Sequence, residues 1–258
     1  MKYEEYVSKF GFTENELKIL SDIDEKITSF LMIGQSNMAG RGDFDEVPEI
    51  KNDRCFMLRM GRWQPMREPI NCDRQIFEGS LHSGVCLAAS FADELQKKTD
   101  SPIGLVPCAD GGTTVEQWMP GEVLFDHAVM MTNLAKRTSN IGGILWHQGE
   151  NNCPGFDPVS YKKNLVEMLR ELRALIGAEK KPLLIGELSE NTDKKFDWAK
   201  NIPAMNKLLY EVADELPYCG VVSSKGLSMK PDGIHFDSKG LREFGKRYFE
   251  KYMEIASR

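Results

Sequence analysis

Short apolar runs rich in β-branched residues alternate along this chain with longer stretches of helical period, and that alternation limits the fold more than any other feature. The runs are Phe30 to Ile33, Cys55 to Leu58, Ile103 to Pro107, Gly143 to Trp146, Leu183 to Glu187 and Gly220 to Ser223. Helical spacing links Ala88, Phe91, Ala92 and Leu95, then Tyr161, Leu165, Met168, Leu172 and Leu175, and finally Leu241, Phe244, Tyr248, Tyr252 and Ile255. Each stripe covers one face, as in a helix packed on a sheet. Asp237 or Ser238 is placed to cap the last helix, and Gly177 to end the one before the Leu183 run. The pattern is that of an α/β protein whose parallel sheet is wrapped by helices.

At 258 residues the chain can bury roughly three quarters of its unfolded surface, so neither disulfides nor a structural metal are needed for stability. The 33 Lys and Arg against 39 Asp and Glu give a net charge of -6. That balance argues against a phosphate-tracking surface, so no nucleic-acid partner is expected. The cysteines, at positions 55, 72, 86, 108, 153 and 219, form no C-x-x-C pair and no Cys/His quartet. Several sit in apolar runs, where a free thiol behaves as a small buried hydrophobe and points to a reducing compartment. No apolar run approaches the roughly 18 residues of a membrane span, and the charged N-terminus lacks a signal-peptide core. We therefore expect a cytoplasmic protein without a membrane partner. Residues 1–28 read as an N-terminal helical extension, with Leu17, Leu20 and Ile27 as packing contacts, and residues 29–258 as one domain. The stretch from Gly40 to Gly84 reads as loops around one strand. Nothing in the sequence fixes an oligomeric state.

In open parallel sheets, ligands bind beyond the carboxyl ends of the strands. Gly34 to Gly40 follow the first run, Ala109 to Thr114 the third, His147 to Asn152 the fourth, and Asp232 to His235 come well after the last. Ser36 is a candidate nucleophile, needing a base to take its proton; taken alone, it reads more readily as a helix cap. His235 is the best base, because Asp232 three residues earlier can fix its tautomer across the flexible Gly233. Pro231-Asp232-Gly233 is also a plain turn sequence. His127 falls in a helical stretch and reads as structural, and His82 has no evident partner. Gly111-Gly112 lacks the spacing of a phosphate loop. It can present N–H groups to an oxyanion or simply make a tight turn, and Gln148 can add a side-chain donor. Glu150 has three open readings: a second carboxylate for His235, a substrate contact, or a buried anchor. Trp118 is a candidate cleft-lining aromatic.

Four segments together resemble the SGNH hydrolase superfamily, in its branch of sialate O-acetylesterases and acetylxylan esterases. They are Ile33 to Gly40 (IGQSNMAG), Val106 to Thr114 (VPCADGGTT), Leu145 to Glu150 (LWHQGE) and Asp232 to His235 (DGIH), in the family's order. The resemblance implies a three-layer α/β/α sandwich, flavodoxin-like, with a central parallel sheet of about five strands. It implies Ser36 as nucleophile, His235 as base, Asp232 as its orienting acid, and Glu150 as a possible second acid. The oxyanion hole would come from the Ser36 and Gly112 N–H groups and the Gln148 side chain. Asn37, Thr113 and Trp118 are the expected substrate contacts. One position departs: Asn152 stands where the family usually has Asp.

The expected activity is that of a serine esterase removing small acyl groups, acetyl foremost, from a carbohydrate or related hydroxylated small molecule, with no cofactor and no metal. Two alternatives stay open. One is a metal-assisted hydrolase using His147, Glu150, Asp232 and His235, whose i, i+3 pairs suit a shared ion. The other is a non-catalytic carbohydrate-binding protein.

Overall fold

The structure, a computed structural model, describes residues 26–71 and 83–257. Leu17, Leu20, Cys72 and His82 lie outside them, as does nearly all of the expected N-terminal helical extension. Ile27 and Thr28, assigned to that extension by sequence, belong instead to the first strand.

Seven strands form one sheet: β1 (Ile27–Gly34), β2 (Cys55–Arg59), β3 (Arg62–Pro65), β4 (Ile103–Pro107), β5 (Ser139–His147), β6 (Leu183–Gly186) and β7 (Cys219–Val222). Their order is β3-β2-β4-β1-β5-β6-β7. All neighbours pair in parallel except β2 and β3. The sheet is thus larger than the expected five strands. Strand β3 escaped the sequence reading because Arg62, Trp63, Gln64 and Pro65 carry no apolar run. It forms through a two-residue hairpin turn at Met60 and Gly61, both at positive φ (51° and 72°), the conformation that matches the twist of paired strands.

The helices are α1 (Ser36–Ala39), α2 (Leu87–Gln96), α3 (Val123–Ala135), α4 (Pro158–Ile176), α5 (Ile202–Glu215) and α6 (Ser238–Ala256). Alternate residues of each strand face opposite layers, as the period of two demands. Leu31, Ile33, Val106, Ile144, Trp146, Leu183 and Ile185 pack against α3, α4 and α5. Phe30, Met32, Leu105, Leu145, Leu184 and Val222 pack against α2 and α6. This is the three-layer α/β/α sandwich implied by the resemblance. The caps fall where the sequence put them. The Asp237 side chain accepts from Gly240 N at 2.7 Å, and Gly177 ends α4 in the left-handed conformation at φ 68°.

Strand β1 lies between β4 and β5, so the chain leaves it in one direction through β2 and β4 and in the other through β5 to β7. Connections on either side of such a switch point diverge and leave a crevice at the carboxyl ends. The segments after β1, β4 and β5 carry the polar motifs, and all three open onto that crevice.

Candidate active site

Ser36 is presented by a forced turn. Gly34, at φ 125°, ends β1 where a Cβ would lie 2.1 Å from the His147 carbonyl oxygen, so only glycine fits beside β5. The next residue, Gln35, donates its N–H to that same oxygen at 2.9 Å. Helix α1 then begins at Ser36, whose side chain is 6% exposed at the crevice floor. The Gln35 side chain braces the neighbouring loop, its Oε1 accepting from Gly149 N and Asn151 N, each at 3.4 Å.

His235, the candidate base, comes from 199 residues away. His235 Nε2 and Ser36 Oγ lie 2.9 Å apart, and His235 Nδ1 is 2.8 Å from Asp232 Oδ2. The carboxylate fixes the proton on Nδ1, which leaves Nε2 to accept from the serine hydroxyl. Asp232 Oδ1 also accepts from the N–H groups of Ile234 (2.9 Å) and His235 (3.0 Å). Partial burial disfavours its charge, but these N–H bonds and the His235 ring outweigh burial and hold the carboxyl below its ordinary value. The turn depends on Gly233, at φ 77°, whose carbonyl accepts from Asp193 N at 2.8 Å. Lys230 ties the same loop to the segment after α1, donating Nζ to Arg41 O (2.8 Å) and Asp43 Oδ2 (2.9 Å). The three sequence motifs for nucleophile, base and acid thus converge.

Glu150 does not join them. It is 5% exposed, and its Oε1 accepts from Asn37 Nδ2 at 2.6 Å and stands 3.7 Å from His147 Nδ1. Among the described residues, the His235 ring nitrogens lie within hydrogen-bond distance of Ser36 and Asp232. Of the three sequence readings of Glu150, the geometry fits the buried anchor.

The segment after β4 is drawn to β1 by Asp110 N, which donates to Gly34 O at 2.9 Å. Gly112 adopts φ 71°, and Asn151 Nδ2 donates to its carbonyl at 2.6 Å, turning the peptide. The N–H of Ser36 opens a helix and has no acceptor within it. That of Gly112 has no acceptor among the described residues. Gln148 departs from expectation: its Nε2 donates to Asn152 Oδ1 (2.7 Å) and Thr113 O (3.0 Å), while its Oε1 accepts from Tyr161 OH (3.0 Å). Both amide hydrogens already have acceptors inside the protein.

The three expected substrate contacts are all buried. Trp118 is 0% exposed, packs edge to face on Trp146 with centroids 5.6 Å apart, and donates Nε1 to Thr113 Oγ1 at 3.1 Å. Thr113 is buried and donates to Asp110 O at 2.9 Å. Asn37 is buried with its amide engaged on Glu150 and Phe236. Sequence reasoning also missed Asn71, whose amide pairs with both the N–H and the carbonyl of Ala109 (3.1 and 2.8 Å), and it missed Asn151 and Gln35. Only their places within or beside the motifs could have drawn attention to Asn151 and Gln35.

The residues of the metal-assisted alternative fall into two pairs, His147 with Glu150 and Asp232 with His235. No group of three His, Cys, Asp or Glu side chains able to hold an ion occurs among the described residues. His127 lies on α3, where burial lowers its pKa, in keeping with a structural role. No helix among the described residues is long and apolar enough to cross a membrane.

Comparison with known proteins gives a consistent result. Residues 26–254 match the family model described as carbohydrate esterase, sialic acid-specific acetylesterase. A probable carbohydrate esterase of Arabidopsis thaliana is 29% identical over 244 residues, covering 87% of this chain and 89% of its own. The crystal structure of that Arabidopsis protein superposes with a TM-score of 0.77 at 24% identity, covering 89% of this chain and 98% of that one. The structure of NanS superposes at 0.71 and 16% identity, over 90% and 98% of the two chains. A carbohydrate acetylesterase from Xanthomonas citri superposes at 0.60 and 23% identity, over 89% of this chain and 57% of its own.

Proposed function

This chain belongs to the carbohydrate esterase, sialic acid-specific acetylesterase family, and we propose that it removes O-acetyl groups from a small acylated carbohydrate through Ser36, His235 and Asp232. Membership in a family of hydrolases sets aside the non-catalytic binding protein. The observation that carries the residue assignment is the 2.9 Å approach of His235 Nε2 to Ser36 Oγ, with Asp232 2.8 Å behind the ring.

Ser36 Oγ attacks the ester carbonyl carbon as His235 Nε2 takes the hydroxyl proton. Asp232, ionised, stabilises the imidazolium that forms and keeps its orientation. The carbonyl oxygen becomes an oxyanion, for which the Ser36 and Gly112 N–H groups are the supported donors. His235 returns the proton to the departing sugar hydroxyl, leaving acetyl on Ser36. Water, deprotonated by His235, then attacks the acyl-enzyme, and acetate leaves with Ser36 restored. On its bonds to Thr113 O and Asn152 Oδ1, Gln148 is assigned to holding the Gly112-Thr113 turn. The five described cysteines are free and buried, which supports a cytoplasmic location.

The test is acetate release from O-acetylated sialic acids, acetylated xylo-oligosaccharides and simple sugar acetates. Release from at least one class, lost in Ser36→Ala, is expected. A folded wild-type protein that releases acetate from none of them, or equally well without Ser36, would overturn the proposal.

A further inference from the structure

The residue directly after the nucleophile grips the backbone on both sides of the base. Asn37 Oδ1 accepts from Phe236 N at 3.1 Å, and Asn37 Nδ2 faces Ile234 O at 3.4 Å. His235 is the residue between them. The Phe236 N–H fixes which way the amide points, because only the oxygen can accept it. Nδ2 is therefore turned toward Glu150, whose Oε1 accepts at 2.6 Å. Asn37 and Glu150 are both buried, so this bond is not weakened by water. Glu150 itself is fixed at the end of β5, following His147, whose Nε2 lies 3.1 Å from Glu187 O.

We propose that Glu150 is a positioning residue: through the Asn37 amide it sets the His235 backbone against Ser36, and it acts by its hydrogen-bond acceptor rather than as a second acid on the imidazole. Three strands' worth of chain meet in this clamp. Ser36 and Asn37 are consecutive, so any shift of the amide moves base relative to nucleophile. Asp232 holds the imidazole and the N–H side of His235, and Asn37 holds the peptides before and after it. An amide with Glu150 removed keeps its bond to Phe236 N but loses its short hydrogen-bond partner. The amide can then rotate and the His235 turn drift. Misplacement by about 1 Å in such a pair costs about 10²-fold in rate.

This inference rests on the assignment of Ser36 and His235 above, and the experiment separates the two. Glu150→Gln, Glu150→Ala, Asn37→Ala and the double variant Asn37→Ala/Glu150→Ala are compared for kcat, KM and thermal midpoint on an activated acetyl ester. Glu150→Gln keeps an acceptor for Asn37 Nδ2 and is expected to retain kcat within about threefold, whereas Glu150→Ala falls by about 10²-fold with KM little changed. The double variant is expected to be no slower than Asn37→Ala, since the two residues act as one unit. Equal losses in Glu150→Gln and Glu150→Ala, or multiplied losses in the double variant, would overturn the clamp, and Glu150→Gln suffices should the alanine variants unfold. Ser36→Ala and His235→Ala, run alongside, report on the assignment itself: activity surviving in them refutes that assignment whatever Glu150 does.

Discussion

Asn152 donates Nδ2 to Glu116 Oε2 at 3.0 Å, while its Oδ1 accepts from both Gln148 Nε2 (2.7 Å) and Val115 N (2.9 Å). Asn152, at the position where the resemblance leads one to expect Asp, thereby donates to a carboxylate that an Asp side chain, when ionised, could not donate to. Burial disfavours the Glu116 charge, but its own N–H, the Asn152 amide, Thr114 and Asn164 more than offset that and lower its pKa. Asn152→Asp keeps the acceptor for Gln148 but sets two carboxylates 3.0 Å apart. It should lose about 0.5–1 kcal/mol of stability and some activity at neutral pH. Adding Glu116→Gln should restore both, as read by thermal midpoint and kcat/KM.

Asp232 gives a pH signature. Its folded-state carboxyl lies below its ordinary value of 3.8. The stability it contributes is therefore complete above that value and is lost as the pH falls through the lower, folded-state one. Replacing it with Asn should flatten the acid side of the stability curve below about pH 4, with little change at pH 7 beyond a uniform offset. The same variant should lower kcat by about 10²–10⁴-fold, because the ring loses its tautomer lock and the imidazolium its counter-charge. Denaturant unfolding across pH and steady-state kinetics measure the two effects.

Gly34 and Gly155 both sit at positive φ, but only Gly34 faces backbone at 2.1 Å, and Gly155 faces open space. Gly155→Ala should cost about 1–2 kcal/mol, the strain of the left-handed conformation alone. Gly34→Ala adds a clash with His147 O and should cost about 3 kcal/mol or more, with loss of activity in any folded fraction. Comparing the two by urea unfolding isolates the close approach of β1 and β5 that presents Ser36.

The legible parts of this protein were those written in local chemistry. Ile103–Pro107 is a strand over the residues its apolar run marked; Tyr161, Leu165, Met168 and Leu172 are buried on α4, and Leu241, Phe244, Tyr248 and Ile255 on α6, whereas Leu175, placed in the first stripe by its spacing, is exposed. Ser36, Asp232 and His235, singled out as candidates because a serine, an acid and a histidine each stand beside a turn, meet at the His235 ring, which lies within hydrogen-bond distance of the other two. What escaped depends on partners distant in sequence. Strand β3 is marked by its pairing with β2, since its own residues carry no apolar run. Asn37 is set apart by backbone groups at Ile234 and Phe236, almost 200 residues on. Trp118, a candidate cleft aromatic by sequence, packs its ring on Trp146 and donates its N–H to Thr113 Oγ1. Glu150 carried three readings, for a carboxylate near a histidine in sequence says nothing of which histidine it meets in space.

The central claim is that acetyl passes through Ser36. Wild-type protein turning over an acetyl ester, quenched in acid during the steady state, digested and weighed by peptide mass, tests it directly. An added acetyl group is expected on the peptide containing Ser36, absent in Ser36→Ala and not accumulating in His235→Ala. Undiminished turnover by Ser36→Ala, or an acetyl group carried on a different residue, would contradict it.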